Sequence, residues 1–155
     1  TFDCPADEDF ILPIGKAKVE REGKHVTIVA FSIMVGVAMK AAEALAELGI
    51  EAEVINLRSL RPLDTDTVVE SVKKTNRLVT VEEGCRMGGF GSAVLEFLSE
   101  EECWDLPTKL LGLPDWYIEQ GPQDLLREKY GLTADGIYDQ AKALYDRVSL
   151  QSVMR

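Results

Sequence analysis

The residues best suited to chemistry fall in one stretch, Arg77 to Val94, RLVTVEEGCRMGGFGSAV. Glu82 and Glu83 are followed by Gly84, Gly88, Gly89 and Gly91, with Cys85, Arg86 and Met87 between the glycines. Paired carboxylates can share a proton for acid–base work, but neighbours on a strand point to opposite faces, which argues against a pair here. A dinucleotide loop needs G-x-G-x-x-G, and after Gly89 and Gly91 the third place is held by Val94. A phosphate loop needs Lys followed by Ser or Thr, and that order does not follow Gly91. Two glutamates would also repel phosphate, with Arg86 the only nearby cation. The glycines therefore read as close packing of backbone against a neighbouring domain or subunit.

Other reactive side chains are isolated. The only histidine, His25, falls at the exposed mouth of a predicted strand, without the G-x-S-x-G elbow of a hydrolase, and reads as a surface residue. Cys4, Cys85 and Cys103 are odd in number and lack C-x-x-C spacing, so neither a disulfide framework nor a zinc site is indicated. Arg86 beside Cys85 could lower its thiol pKa, but with no base in view the thiol reads as a plain one. A reducing compartment fits, the cytoplasm or the mitochondrial matrix. Arg58 and Arg61 follow a predicted strand, where open α/β sheets bind ligands, and could hold an anion. Pro62 and Leu63 make the same loop partly apolar, which favours a contact with a neighbouring domain. The expected interface is Arg58, Arg61 and Pro62 together with Glu82, Glu83, Arg86, Met87, Gly88, Gly89 and Phe90. Met87 and Phe90 would be its apolar centre; the alternative turns Phe90 inward to cover the sheet.

These residues need a scaffold, and the hydrophobic pattern supplies one. Gly15 to Glu20 alternates as a half-exposed strand, Val26 to Phe31 and Ala52 to Leu57 read as buried strands, and Arg77 to Glu83 and Lys109 to Gly112 complete the set. Helices fall between them: Met34 to Gly49 capped by Ser32, one capped by Asp64 or Thr65 with Lys73 and Lys74 in its last turn, and Ser92 to about Ser99. Gln123 to Lys129 and a final helix capped by Thr133 follow. Alternating strands and helices predict an α/β domain with a mostly parallel sheet covered on both faces. At 155 residues the chain is one domain in size. Boundaries fall at a linker or processed segment over 1–12, a domain over 13–149 and a tail over 150–155. With 17 Lys and Arg against 27 Asp and Glu, a net charge of −10 makes nucleic acid an unlikely ligand. No apolar run approaches the ~20 residues of a membrane span, so no membrane partner is expected.

Longer strings carry a resemblance. EDFILPIGKAKVEREGKHVTIVAFS and EAEVINLRSLRPLDTDTVVESVKKTNRLVTVEEG, covering Asp9 to Gly84, resemble the C-terminal domain of the beta subunit of pyruvate dehydrogenase's first component, in the transketolase superfamily. Beyond Gly84, MGGFGSAVLEFL and GLPDWYIEQGPQDLLREKYGLTADGI are similar to the end of deoxyxylulose phosphate synthase and, more loosely, transketolase. The resemblance implies a three-layer α/β/α unit whose five-stranded mixed sheet has its first strand antiparallel. It implies thiamine diphosphate and magnesium in the parent enzyme, held by other domains, because the G-D-G followed by Asn that binds them is absent here. No catalytic residue carries over. Implied partners are the thiamine-diphosphate-binding domains or an alpha subunit, a second copy in a homodimer, and the acyltransferase component. A small-molecule binding module using the glycine turn and Arg86 is the reading from another class.

Overall fold

A computed structural model describes residues 11–103 and 105–153, with side chains to residue 147. The linker expectation for the first residues, and Cys4 with it, lies almost wholly outside the described part. The elements are β1 (Lys18–Arg21), β2 (Val26–Ala30), α1 (Ile33–Glu47), β3 (Ala52–Asn56), α2 (Thr65–Thr75), β4 (Leu78–Cys85), α3 (Phe90–Glu100), β5 (Thr108–Leu113), α4 (Gln123–Lys129) and α5 (Ala134–Val153). The five strands form one sheet in the order β1-β3-β2-β4-β5. β1 runs antiparallel to β3 and every other pairing is parallel.

Alternation along the strands builds two cores. Ile28, Ala30, Val54, Val79 and Val81 face α1 and α5, where Met34, Ala38, Ala42, Ile137 and Leu144 close over them. Val29, Ile55 and Leu78 point the other way, against Val68 and Val72 of α2 and Val94 and Leu98 of α3. Burial on both faces explains why the central strands read as continuous apolar runs. Thr27, Glu53, Thr80 and Glu82 are buried polar residues of these strands, and the Thr27 hydroxyl lies 2.7 Å from both Ser71 Oγ and Thr75 Oγ1 on α2. The three-layer α/β/α architecture is therefore the one anticipated.

Local differences have local causes. β1 starts at Lys18 rather than Gly15, because the Ala17 N–H donates to Asp64 Oδ2 (2.9 Å) instead of joining a ladder. β4 continues past Glu83 because Cys85 still pairs with Leu113 of β5. Ser32 stands at the start of α1 but its side chain makes no capping bond and its φ is 55°. Asp64 does cap α2, accepting from Thr67 N, and Thr133 Oγ1 accepts from Gly136 N at 3.1 Å. α5 runs to Val153.

Candidate docking edge

Because β2, β3, β4 and β5 are parallel, their carboxyl ends and the loops leaving them share one edge of the sheet. The loops are arranged in strand order, with neighbouring strands about 5 Å apart. The β3 loop brings Arg58, Leu60, Arg61 and Pro62, all exposed, and Ser59 Oγ donates to the Pro62 carbonyl within it. Ile33, half exposed, follows β2. Arg86, Met87 and Gly88 follow β4, and Met87 is 71% exposed. After β5 come Asp115, Trp116 and the fully exposed Tyr117. An open depression of about 460 Å³ runs from Cys85 and Leu113 across to Trp116, Tyr117 and Ile118. The two loops are tied together where Arg86 N donates to Leu113 O (2.8 Å), and Cys85 Sγ lies 3.9 Å from Asp115 Oδ1.

Several residues expected at the interface turn inward instead. Phe90 is buried at 5% exposure, packing edge-on against Phe31 with ring centroids 5.1 Å apart. It opens α3 with its side chain toward the sheet, so the apolar centre of the edge falls to Met87 and to aromatic residues the sequence reading did not single out. Glu82 is also buried, and its carboxylate accepts from Phe90 N and Gly91 N, both at 3.1 Å. The first N–H groups of a helix have no partner within it, and the positive end of the helix dipole favours an anion there. Burial raises the Glu82 pKa above the ordinary carboxylate value, and the two N–H bonds oppose that rise.

Within the chain, Gly84, Gly89 and Gly91 pack against this carboxylate or the strand that carries it. A Cβ on Gly89 would sit 2.2 Å from the Cys85 carbonyl oxygen and 2.3 Å from Glu82 Oε2, and one on Gly91 would sit 2.5 Å from Thr80 Oγ1. On Gly84 it would come within 2.8 Å of Glu82 Oε2. Gly88 alone of the turn is open, with φ +72° and nothing near. Glu83 faces the opposite side, as the strand alternation requires, and pairs with Arg127 (2.7 Å) of α4.

Remaining candidates have structural partners. His25 is half-buried rather than an exposed surface residue: its Nδ1 accepts from Glu51 N (2.9 Å), and its ring lies 5.4 Å from that of Tyr145. Burial, then the nearby Lys24 and Arg77 charges, push its pKa down. Cys85 is an exposed free thiol. Among the described residues no group of three His, Cys, Asp or Glu side chains is placed to hold a metal ion. No described helix is long and apolar enough to cross a membrane. Ile33, Asp115, Trp116 and Tyr117 were missed by the sequence reading; two adjacent aromatics after a Pro-Asp turn were the available signal.

Residues 15–137 match the family described as transketolase, C-terminal domain. The chain belongs to that family. A transketolase C-terminal domain accounts for the whole sheet, β1 included. The chain is similar to the 1-deoxy-D-xylulose-5-phosphate synthase of Desulforudis audaxviator, 48% identical over 141 residues, covering 90% of this chain and 22% of that protein. It is also similar to the mitochondrial pyruvate dehydrogenase E1 component subunit beta of Pisum sativum, 64% identical over 95 residues, 61% of this chain and 26% of that protein. A solved structure described as a split gene transketolase, inactive beta4 tetramer, superposes with a TM-score of 0.81 at 41% identity, over 90% of this chain and 45% of that one. The chain thus spans about a quarter or less of the length of these two curated relatives.

Proposed function

We propose that this domain is a non-catalytic assembly module of a thiamine-diphosphate-dependent enzyme that decarboxylates pyruvate, docking through the carboxyl-end edge of its sheet. The observation that carries the reading is the concentration of exposed apolar side chains, Leu60, Ile33, Met87, Trp116 and Tyr117, on the loops of one edge. A monomer gains little by displaying such a set together. The first reading of the parent is the beta subunit of a pyruvate dehydrogenase, supported by 64% identity over 95 residues. Its partners are then the thiamine-diphosphate-binding domains, an alpha subunit and the acyltransferase component, in a reducing compartment such as the mitochondrial matrix or cytoplasm. The second reading, deoxyxylulose phosphate synthase, is favoured by similarity that extends over 141 residues.

Glu82 weighs against the small-molecule module. In this turn, the N–H groups of Phe90 and Gly91 that would hold a diphosphate are engaged by a buried carboxylate, whose charge repels phosphate. The glycine turn does not fit thiamine diphosphate, and the cofactor belongs to domains outside this chain. Grafting the chain in place of the C-terminal domain of the D. audaxviator synthase and of the pea beta subunit tests the proposal. At least one graft should assemble and consume pyruvate with thiamine diphosphate, and which one does so separates the two readings. Two grafts that fold but neither assemble nor turn over would refute it, as would micromolar binding of thiamine diphosphate by the chain alone.

A further inference from the structure

The buried end of β4 carries two polar groups that docking at the edge does not use. We propose that Glu82 and Thr80 form a proton-linked latch on the turn joining β4 to α3: neutral Glu82 donates its O–H to Thr80 Oγ1 and holds the turn closed, and loss of that proton loosens it.

Thr80 and Glu82 stand two residues apart on β4 and so share the face turned to α3. Thr80 is fully buried, and its hydroxyl has no hydrogen-bond partner. Thr80 Oγ1 lies 2.5 Å, and Glu82 Oε1 3.4 Å, from the point where a Gly91 Cβ would stand, so the two oxygens meet against one glycine. Oε1 accepts from Gly91 N and Oε2 from Phe90 N. A carboxylate can only accept, whereas a protonated carboxyl gains one O–H donor and keeps acceptor capacity. Thr80 Oγ1 is the free acceptor for that donor, and Oε2 stays with Phe90 N. Binding the proton therefore satisfies the idle hydroxyl and removes a buried charge in one step.

Nothing near Glu82 balances its charge. Among the described residues it makes no ion pair. On β4, Glu83 points to the opposite face and pairs with Arg127; at the turn, Cys85 and Arg86 are exposed. α3 and β5 meet the side chain with glycines, Gly89 and Gly91 on one side and Gly112 on the other, where a Cβ would stand 3.1 Å from Glu82 Cγ. Burial raises the Glu82 pKa above its ordinary 4.5, and the two N–H bonds oppose the rise. A carboxyl so raised holds its proton more tightly in the closed turn than in an open, solvated one. Below pH 4.5 both forms are neutral and the latch is fully held. As pH climbs toward the closed-state pKa, the open form gives up its proton first and gains population about tenfold per pH unit, levelling off once that pKa is passed. The segment released carries Arg86, Met87 and Gly88, and the latch works within the chain whatever docks there.

Carboxyl 13C NMR titration of the full chain reads the proton, and hydrogen exchange at the Phe90 and Gly91 amides, corrected for intrinsic rate, reads the turn. Glu82 should titrate above pH 4.5, with protection of both amides falling as pH rises to that midpoint. Core amides such as Val29 and Val79 should stay better protected, since the turn opens without unfolding the sheet. Thr80→Val should lower the proton affinity of Glu82 by about threefold or more, and Thr80→Ser should keep it. Glu82→Gln, whose amide can donate to Thr80 and accept from Phe90 N, should hold the protection high and remove its pH dependence. A Glu82 midpoint at or below 4.5, turn amides protected equally with the core, or a proton affinity unchanged or raised in Thr80→Val would overturn the proposal. The wild-type titration and the Thr80 variants decide it even if Glu82→Gln fails to fold.

Discussion

Adding one methyl group at Gly89 should disable the buried cap of α3. The new Cβ would stand 2.2 Å from the Cys85 carbonyl oxygen and 2.3 and 2.5 Å from the two Glu82 carboxylate oxygens. The Cys85 carbonyl is backbone and cannot swing aside, so the carboxylate must leave Phe90 N and Gly91 N. Each hydrogen bond to a charged group is worth about 1.5–3 kcal/mol, so losing both costs about 3–6 kcal/mol. Gly89 has φ −79° and ψ −170°, extended values open to any residue, so no backbone penalty contributes. Its neighbour Gly88 is the matched control: there φ is +72° with no atom within 4 Å, and Gly88→Ala should cost only the left-handed penalty of about 1–2 kcal/mol. Urea unfolding of the two variants reads the difference directly. With a slope of about 2 kcal/mol per molar urea, Gly89→Ala should lose at least about 1.5 M in midpoint and Gly88→Ala less than about 1 M. Equal losses, or a larger one at Gly88, would refute the claim that the turn is shaped around Glu82.

Phe90→Ala should destabilise by about 3–5 kcal/mol in the same assay, as a core truncation does, and should act on association only through folding. Asp64→Ala removes the acceptor for Ala17 N, Thr67 N and Thr67 Oγ1 and should cost about 2–3 kcal/mol, with hydrogen-exchange protection lost first at Ala17. His25 supplies a pH signature, because its folded-state pKa lies below 6.5. Above pH 6.5 it is neutral in both states and its bond from Glu51 N is intact; as pH falls, the unfolded chain takes the proton first and stability drops until the folded pKa is passed. Urea midpoints measured from pH 8 down to pH 5 should therefore converge for wild type and His25→Ala, and a gap that widens toward acid would contradict the assignment.

Much of the architecture was legible because two-sided burial leaves an unmistakable trace. Val26 to Ala30 and Leu78 to Val81 are buried at every position and apolar but for Thr27 and Thr80, and both lie between helices on each face. The antiparallel β1 came from the family resemblance, since nothing in KVER distinguishes one direction from the other. Expectations failed where a side chain competes with the ladder or folds back on its own loop. Asp64 lies 47 residues from the Ala17 N–H it captures, and no local pattern reports that. Glu82 was expected at the interface because its partners are backbone N–H groups, which have no sequence signature, and of the two placements weighed for Phe90 the inward one is the one observed. Arg58, Arg61, Arg86 and Met87 were placed correctly on exposed loops at strand ends, while Trp116 and Tyr117 escaped because the loop was read only as a turn.

The two outermost strands carry a further consequence, for how concentrated solutions of this chain behave. Open sheets have two unpaired margins that can template stacking into cross-β fibrils. Here β1 is only four residues long, places exposed Lys18 on the margin and breaks register between Val19 and Arg21. β5 is bracketed by Pro107 and Pro114, neither of which has an N–H to extend a ladder, and it exposes Lys109. Both margins are blunted against fibril growth, so stacking of copies strand against strand is disfavoured even at high concentration.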